Sequence, residues 1–177
     1  MKGFNKMRFI SAAISTDKSR YFMCDAYWNA EKGRLEATDG RRAHVWALRE
    51  GLRDAYKLPE KSCYVKLLPK ENMIVPLQHD YQFPNIDRVT PEKSATFRVN
   101  LAEDKGNRAY ACFSIAANRI VNSDYIGDLM GEVWEASIQN DPTKALRFDC
   151  DDLVAVIMPM QADVMDDVIL HEEEAKE

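Results

Sequence analysis

The stretch RLEATDGRRAHVWAL, residues 34–48, predicts two strands that fold back on each other. Residues 34–39 and 42–48 both suit an extended backbone, and Gly40 between them permits a sharp reversal of the chain. Residues 20–30 are rich in aromatic side chains and predict a preceding strand. The chain is therefore expected to form a three-stranded antiparallel meander in this region.

A second unit of the same kind is predicted further along the chain. Residues 4–15 carry apolar side chains at helical spacing ahead of the first meander. Residues 120–133 repeat that pattern with Ser123 as the N-cap, and three strand-like runs follow between residues 134 and 158. The sequence predicts an α+β fold: two helix-plus-three-strand units that share an antiparallel sheet, with both helices on one face.

Prolines and charged residues indicate the structure expected for the rest of the chain. Five prolines in residues 51–93 argue against long helices and central strands, so we expect a connector or insertion there, with short strands such as residues 63–68 and 73–77 between the prolines. Residues 95–101 and 108–115 predict a further hairpin. We expect one domain over residues 1–162, followed by an acidic C-terminal tail over residues 163–177.

Composition places the chain among soluble globular proteins. It has 177 residues, of which 46% are hydrophobic and 30% are charged. No apolar run approaches the ~20 residues of a membrane span, and the N-terminal stretch is too polar for a signal peptide. Four widely spaced cysteines form no C-x-x-C pair, which indicates reduced thiols and no zinc site. We therefore expect a cytoplasmic protein that has no cofactor and does not bind membranes.

Charge is distributed unevenly along the chain. The net charge is −5, yet residues 163–177 alone contain seven acidic residues and one lysine, while the first twenty residues are basic. One interpretation of the tail is a solvated, fraying terminus. The alternative is an electrostatic mimic or an autoinhibitory segment.

The sequence carries few signs of catalytic chemistry. It contains no H-E-x-x-H, no G-x-S-x-G and no glycine-rich phosphate loop. The pair Asp151 and Asp152, with Asp149 nearby, has carboxylates of the kind that bind Mg²⁺. Successive strand and turn positions point in different directions, so a solvated turn fits this cluster better than a metal site. The sequence predicts a protein that is not an enzyme, with a metal-dependent nuclease as an alternative.

Four separated segments resemble, in chain order, parts of the bacterial DNA polymerase III β subunit, the sliding clamp. LEATDGRRA, residues 35–43, resembles a V-A-T-D-G-H-R-L-A hairpin of the second clamp domain. FPNIDRVTP, residues 83–91, is similar to the F-P-D-Y-R-R-V-x-P stretch between the second and third domains. Residues 120–130 resemble a strand-to-helix junction of the third domain, and VIMPMQ, residues 156–161, resembles the V-V-M-P-M-R that ends a clamp chain. The resemblance implies a single shortened, hybrid clamp domain.

In that family these segments line a pocket that binds Q-L-x-L-F-type peptides of DNA polymerases, the clamp loader and repair proteins. The resemblance implies a non-enzymatic processivity factor of DNA replication that docks such partners. It places Met158 and Met160 at the pocket floor and Arg42 and Arg88 at its rim. The expected pocket residues are Thr38, Gly40, Arg41, Arg42, Ala43, Pro84, Arg88, Val89, Val156, Met158, Pro159 and Met160. Arg41 and Ala43 stand where the family has His and Leu, which makes the pocket shallower.

DNA binding and ring formation are the remaining expectations. Clamps line their central hole with basic helices, and here Lys2, Lys6 and Arg8 would contact phosphates. The second helix carries Asp124 and Asp128, so we expect only weak binding to duplex DNA. A ring needs six clamp domains, which a one-domain chain reaches only as a homo-oligomer. The alternative is a free-standing decoy or modulator of a clamp or its partners, for which a phage-derived module would be one example.

Overall fold

Nine strands join into one antiparallel sheet within the part of the chain that the computed structural model describes, residues 4–94, 96–101, 120–141 and 143–160. They are β1 (Ala26–Asn29), β2 (Arg34–Thr38), β3 (Arg42–Ala47), β4 (Cys63–Leu68), β5 (Met73–Pro76), β6 (Thr96–Asn100), β7 (Val133–Ser137), β8 (Leu146–Cys150) and β9 (Leu153–Ile157). Their order across the sheet is β5-β4-β1-β2-β3-β9-β8-β7-β6.

Two meanders meet at the centre of this sheet. Strands β1, β2 and β3 form the first, and β7, β8 and β9 form the second. They join through β3 and β9, where Arg42 lies opposite Ile157 and Trp46 lies opposite Leu153. The region 51–93, expected to be a connector, adds β4 and β5 beside β1. The proline argument against central strands holds for β5, which ends at Pro76 and pairs with β4 alone among the described strands. It fails for β4, which contains no proline and pairs with both β1 and β5.

Two helices cover the same face of the sheet, as the sequence predicts. They are α1 (Lys6–Ala12) and α3 (Ser123–Gly127), while α2 (Leu52–Ala55) is a single turn. Met7, Phe9 and Ile10 from α1 share one apolar core with Ile126 from α3. The side chain of Asn122, and not that of Ser123, caps α3 by accepting a hydrogen bond from the Asp124 N–H.

Side-chain alternation gives the sheet a second, smaller core on its opposite face. Tyr64, Ala43 and Val156 point to that face from three strands, and Phe83 and Ile86 pack on them from the chain that follows β5. A loop with one 3₁₀ turn (Ile86–Arg88), in place of a helix, therefore covers this second core. The candidate site lies beside it.

One predicted strand begins later than expected. Residues 20–23 belong to a 3₁₀ helix, Lys18–Met23, and β1 begins only at Ala26. The Asp17 carboxylate accepts hydrogen bonds from both the N–H and the hydroxyl of Ser19, which favours a tight turn over an extended start. The hairpin strand predicted at 108–115 lies outside the described residues. Among the helices of the described residues, none is both long enough and apolar enough to cross a membrane.

Candidate functional site

A groove of about 200 Å³ opens where three distant segments of the chain meet. The segments are the turn between β2 and β3, the loop that follows Phe83, and the end of β9. The groove is lined by Met23, Thr38, Gly40, Arg41, Arg42, Ala43, Pro84, Asn85, Ile86, Val89, Val156 and Met158.

The turn between β2 and β3 is held by its own side chains. The Thr38 hydroxyl donates to the Arg42 carbonyl at 2.7 Å and accepts from the Gly40 N–H at 3.1 Å. The Asp39 carboxylate accepts from the N–H groups of Arg41 and Arg42 at 2.8 and 3.0 Å. Gly40 has φ +87°, which a side chain would strain. The first groove wall is therefore stabilised by hydrogen bonds within the turn itself.

The second wall is a loop anchored to the sheet by stacking and by ion pairs. Phe83 stacks on Tyr27 with ring centroids 4.9 Å apart, and Ile86 is buried. The carboxylate of Asp87 pairs with Lys32 and with Arg34, and these hydrogen bonds lower the pKa of Asp87. Residues 84–89 are thus fixed against β1 and β2.

The third wall comes from β9. Val156 is buried at the base of the groove, and Met158 stands half-exposed beside it. The Met158 N–H donates to the Arg41 carbonyl at 2.8 Å, so the end of β9 is tied to the β2–β3 turn. The groove therefore has an apolar base and a methionine at its edge.

Arg42 lines the groove, and two carboxylates of the protein bind its guanidinium. Its Nε donates to the Asp39 carboxylate at 3.1 Å, its Nη1 donates to Asp128, and its Cζ lies 4.4 Å from the Tyr125 ring centroid. The pleat of β3 sends this side chain to the helix face of the sheet, while Ala43 faces the groove. The guanidinium that was expected to bind ligand carbonyls at the rim is therefore already paired with two carboxylates of the protein.

Nine of the twelve expected pocket residues line the groove, and Arg88, Pro159 and Met160 do not. Met160 lies two residues beyond Met158, exposed, with its N–H bonded to the Ile120 carbonyl, so it is not a floor residue. Three lining residues were missed by the sequence reasoning: Met23, Asn85 and Ile86. Asn85 and Ile86 fall inside the segment 83–91 already singled out, whereas nothing in the sequence pointed to Met23.

A second, more polar depression of about 360 Å³ adjoins the groove. It shares Arg41 and Arg42 with the groove and lies between α1, α3 and the β2–β3 turn. The other lining residues are Ser11, Ala12, Ile14, Ser15, Thr16, Asp17, Arg20, Asp39 and Tyr125. The turn therefore separates an apolar compartment from a polar one.

A buried histidine lies beneath the turn. The Nδ1 of His44 lies 2.6 Å from the Phe9 carbonyl, and its ring stacks on that of Phe9 at 4.1 Å. Its Nε2 has no hydrogen-bond partner within the described part of the chain and lies 3.8 Å from the Asp128 carboxylate. Burial lowers the pKa of His44 to about 4, and burial raises the pKa of Asp128 to about 6 against the attraction of Arg42.

These two groups should oppose each other in the pH dependence of stability. His44 binds a proton more readily when unfolded, so it destabilises the fold as the pH falls from about 6.5 towards 4. Asp128 binds a proton more readily when folded, so it stabilises the fold over nearly the same fall. We expect Asp128→Asn to lose roughly 2 kcal/mol more stability than wild type between about pH 7 and pH 4.5. Urea midpoints at both pH values test this, and equal losses in the two proteins would contradict it.

Two of the three residues expected to bind DNA are described, and they have different surroundings. Lys6 donates to the Asp152 carboxylate at 2.5 and 2.7 Å and is therefore already paired. Arg8 is exposed and forms no ion pair with another described residue. Lys2 lies outside the described residues. A single free cation on α1 provides little positive surface for a duplex.

The acidic cluster does not form a metal site. Asp149 pairs with Arg147 at 2.9 Å, and Asp152 pairs with Lys6, while Asp151 is exposed in the turn. Within the described residues, no group of three His, Cys, Asp or Glu side chains could hold a metal ion. The nuclease alternative therefore gains no support from the geometry of these residues.

Several solved structures of bacterial DNA sliding clamps have a fold similar to that of this chain. A DNA polymerase sliding clamp from Pseudomonas aeruginosa, solved with a ligand, matches at 17% sequence identity and a TM-score of 0.63 over 90% of this chain and 64% of that chain. The chain has the sliding-clamp fold. The DNA polymerase III β subunit of Thermotoga maritima matches at 16% identity and a TM-score of 0.60, over 89% of this chain and 63% of that one. A C. crescentus β sliding clamp with PEG bound to a putative β-motif tethering region matches at 16% sequence identity and a TM-score of 0.54. That match covers 90% of this chain and 64% of that chain.

The sliding-clamp fold is shared without close sequence relationship. No family model matches the chain, and no curated protein matches it. The chain spans about 64% of the length of the first clamps it matches. The resemblance found in the sequence, that of a shortened clamp domain, is confirmed at the level of the fold.

Proposed function

We propose that this chain is a non-enzymatic, clamp-like protein that docks short peptide segments of replication and repair proteins in its groove. The observation that carries the proposal is the convergence of residues 38–43, 84–89 and 156–158 on one apolar depression. These segments lie up to 120 positions apart in the chain. Polymerases, a clamp loader and repair factors are the partner classes that the clamp fold suggests.

The chemistry of the groove suits an apolar peptide. Ala43, Ile86 and Val156 provide a buried apolar base, and Met158 is a flexible wall that adapts to different side chains. Pro84 offers no N–H that a ligand would have to satisfy. Arg41 reaches solvent and forms no ion pair with any described residue, which leaves it available to an acidic flank.

Binding of a fluorescent Q-L-x-L-F-type peptide, followed by anisotropy, tests this function. Two anchored side chains against the small wall at Ala43 should give micromolar affinity, about −8 kcal/mol at most. The same peptide with its leucines and phenylalanine replaced by serine is the control and should not saturate. Absence of saturable binding to the folded full chain would reject the proposed function.

Duplex DNA should bind weakly and only at low salt. With Lys6 paired to Asp152, Arg8 is the main described cation of α1, so few phosphates can be neutralised. We expect the logarithm of the affinity to fall with the logarithm of salt with a slope no steeper than about −2, and binding to vanish near ~200 mM salt. Anisotropy of a labelled 20-base-pair duplex measures this, and tight binding that survives that salt would refute it.

Solution mass separates a ring from a free-standing module. A ring of six clamp domains requires six copies of this 20.3 kDa chain, whereas a decoy or modulator of a clamp acts as one or two copies. Light scattering after size exclusion measures this: a monomer or dimer would support the free-standing module, and a six-fold mass would support a self-assembled ring.

A further inference from the structure

The groove and its rim concentrate exposed apolar surface. Val89 is 51% exposed, Met158 is 39% exposed and Met160 is 44% exposed, and these are three of the six large apolar side chains exposed among the described residues. Contiguous exposed apolar surface on a protein often marks a site where a ligand or a partner binds. Arg41 and Arg88 are exposed nearby, and neither forms an ion pair with another described residue. A matching occupant would carry apolar anchors between acidic residues.

The chain itself contains such a segment. Residues 161–177, QADVMDDVILHEEEAKE, contain seven acidic residues and one lysine. Five large apolar residues, Val164, Met165 and 168–170, lie among those acids. The segment therefore complements the groove both in apolar character and in charge.

The position of this segment favours occupancy within one molecule. The described chain runs to Met160, which lies two residues beyond Met158 in the groove wall, and the Met160 N–H is bonded to the Ile120 carbonyl. Residues 164–170 follow four to ten positions later, a linker of at most about 35 Å when fully extended. A linker this short gives an effective concentration of about 1 mM, far above usual protein concentrations.

We propose that residues 164–170 occupy the groove of their own chain and compete with partner peptides for it. This inference rests on the proposed function of the groove as a peptide site. A partner would then bind only the fraction of molecules whose groove is open, which weakens its apparent affinity by that fraction. If the separate segment binds the groove with a dissociation constant of ~100 μM, an effective concentration of about 1 mM closes the groove in most molecules. The partner's apparent affinity then falls about tenfold.

The test uses the full chain with three substitutions, Val168→Ser, Ile169→Ser and Leu170→Ser, which remove apolar anchors and keep every charge. The variant should bind the Q-L-x-L-F-type peptide about tenfold more tightly than wild type. Met73→Ser is the matched control, because Met73 is an exposed methionine of β5 outside the groove, and it should leave the affinity unchanged. A labelled peptide of residues 161–177 should bind the triple variant saturably, and an excess of it should restore the weaker binding of the first peptide.

The outcomes distinguish this inference from the function on which it rests. Equal, saturable affinity of wild type and triple variant for the Q-L-x-L-F-type peptide would overturn the self-occupancy and leave the peptide site standing. No saturable binding to either protein would reject the peptide site itself. A concentration-dependent doubling of mass that the triple substitution abolishes would show exchange between two copies, and that would overturn occupancy within one molecule.

Discussion

Met158→Asp should reduce the affinity for a Q-L-x-L-F-type peptide by roughly 30- to 100-fold. Met158 lines the groove beside the buried Val156, so a carboxylate there would face the apolar side chains of a bound peptide. Desolvating that unpaired charge costs on the order of 2–3 kcal/mol, and 1.4 kcal/mol corresponds to about a factor of ten. Anisotropy titration of the peptide gives both affinities directly.

The fold should survive this substitution because Met158 is half-exposed and its N–H bond to the Arg41 carbonyl does not depend on the side chain. Met73→Asp is the control: Met73 is 52% exposed on β5, far from the groove in the sheet order. It should bind the peptide as wild type does. Equal affinities of Met158→Asp and Met73→Asp would show that the groove is not the binding site.

Trp134→Ala should destabilise the domain by about 3–5 kcal/mol, a large part of the stability of an ordinary domain. Trp134 is fully buried on β7, and its ring packs 5.6 Å from that of Phe9 and 6.2 Å from that of Phe4. Its Nε1 donates to the Leu129 carbonyl at 2.8 Å. The substitution leaves both a cavity and an unsatisfied carbonyl, so the urea midpoint should fall sharply.

Trp134→Phe separates the contribution of the cavity to this loss of stability from that of the unsatisfied carbonyl. It keeps much of the ring volume and removes only the hydrogen bond to Leu129, so its loss should be about 1–2 kcal/mol. Because Leu129 follows Asp128, which pairs with Arg42, we also expect the alanine variant to loosen the β2–β3 turn of the groove. A free energy of unfolding for Trp134→Ala within about 0.5 kcal/mol of the wild-type value would contradict the packing described for this core.

Local sequence was sufficient to predict the meanders. The reversal at Gly40 follows from Thr38 and Asp39, whose short polar side chains close a turn with their own backbone. The strands β2, β3, β8 and β9 lie within the predicted runs because alternation is a local property. The start of β1 was predicted wrongly, because the Asp17 cap favoured a 3₁₀ turn at residues 18–23 over the strand propensity of the aromatic residues.

The sequence by itself determined the class of the fold and the order of its strands and helices, and its resemblance to sliding clamps pointed to the three segments that meet at the groove. Only the tertiary structure decided what each side chain does there. Arg42 was expected to bind peptides at the rim. The pleat of β3 directs its side chain to Asp128, 86 positions away. Lys6 looked like a DNA contact, but the fold brings Asp152 to it from 146 positions away. Periodicity is set by neighbouring residues, whereas a charge acquires its partner only when distant strands pair, so the pattern was predictable from sequence and the pairing was not.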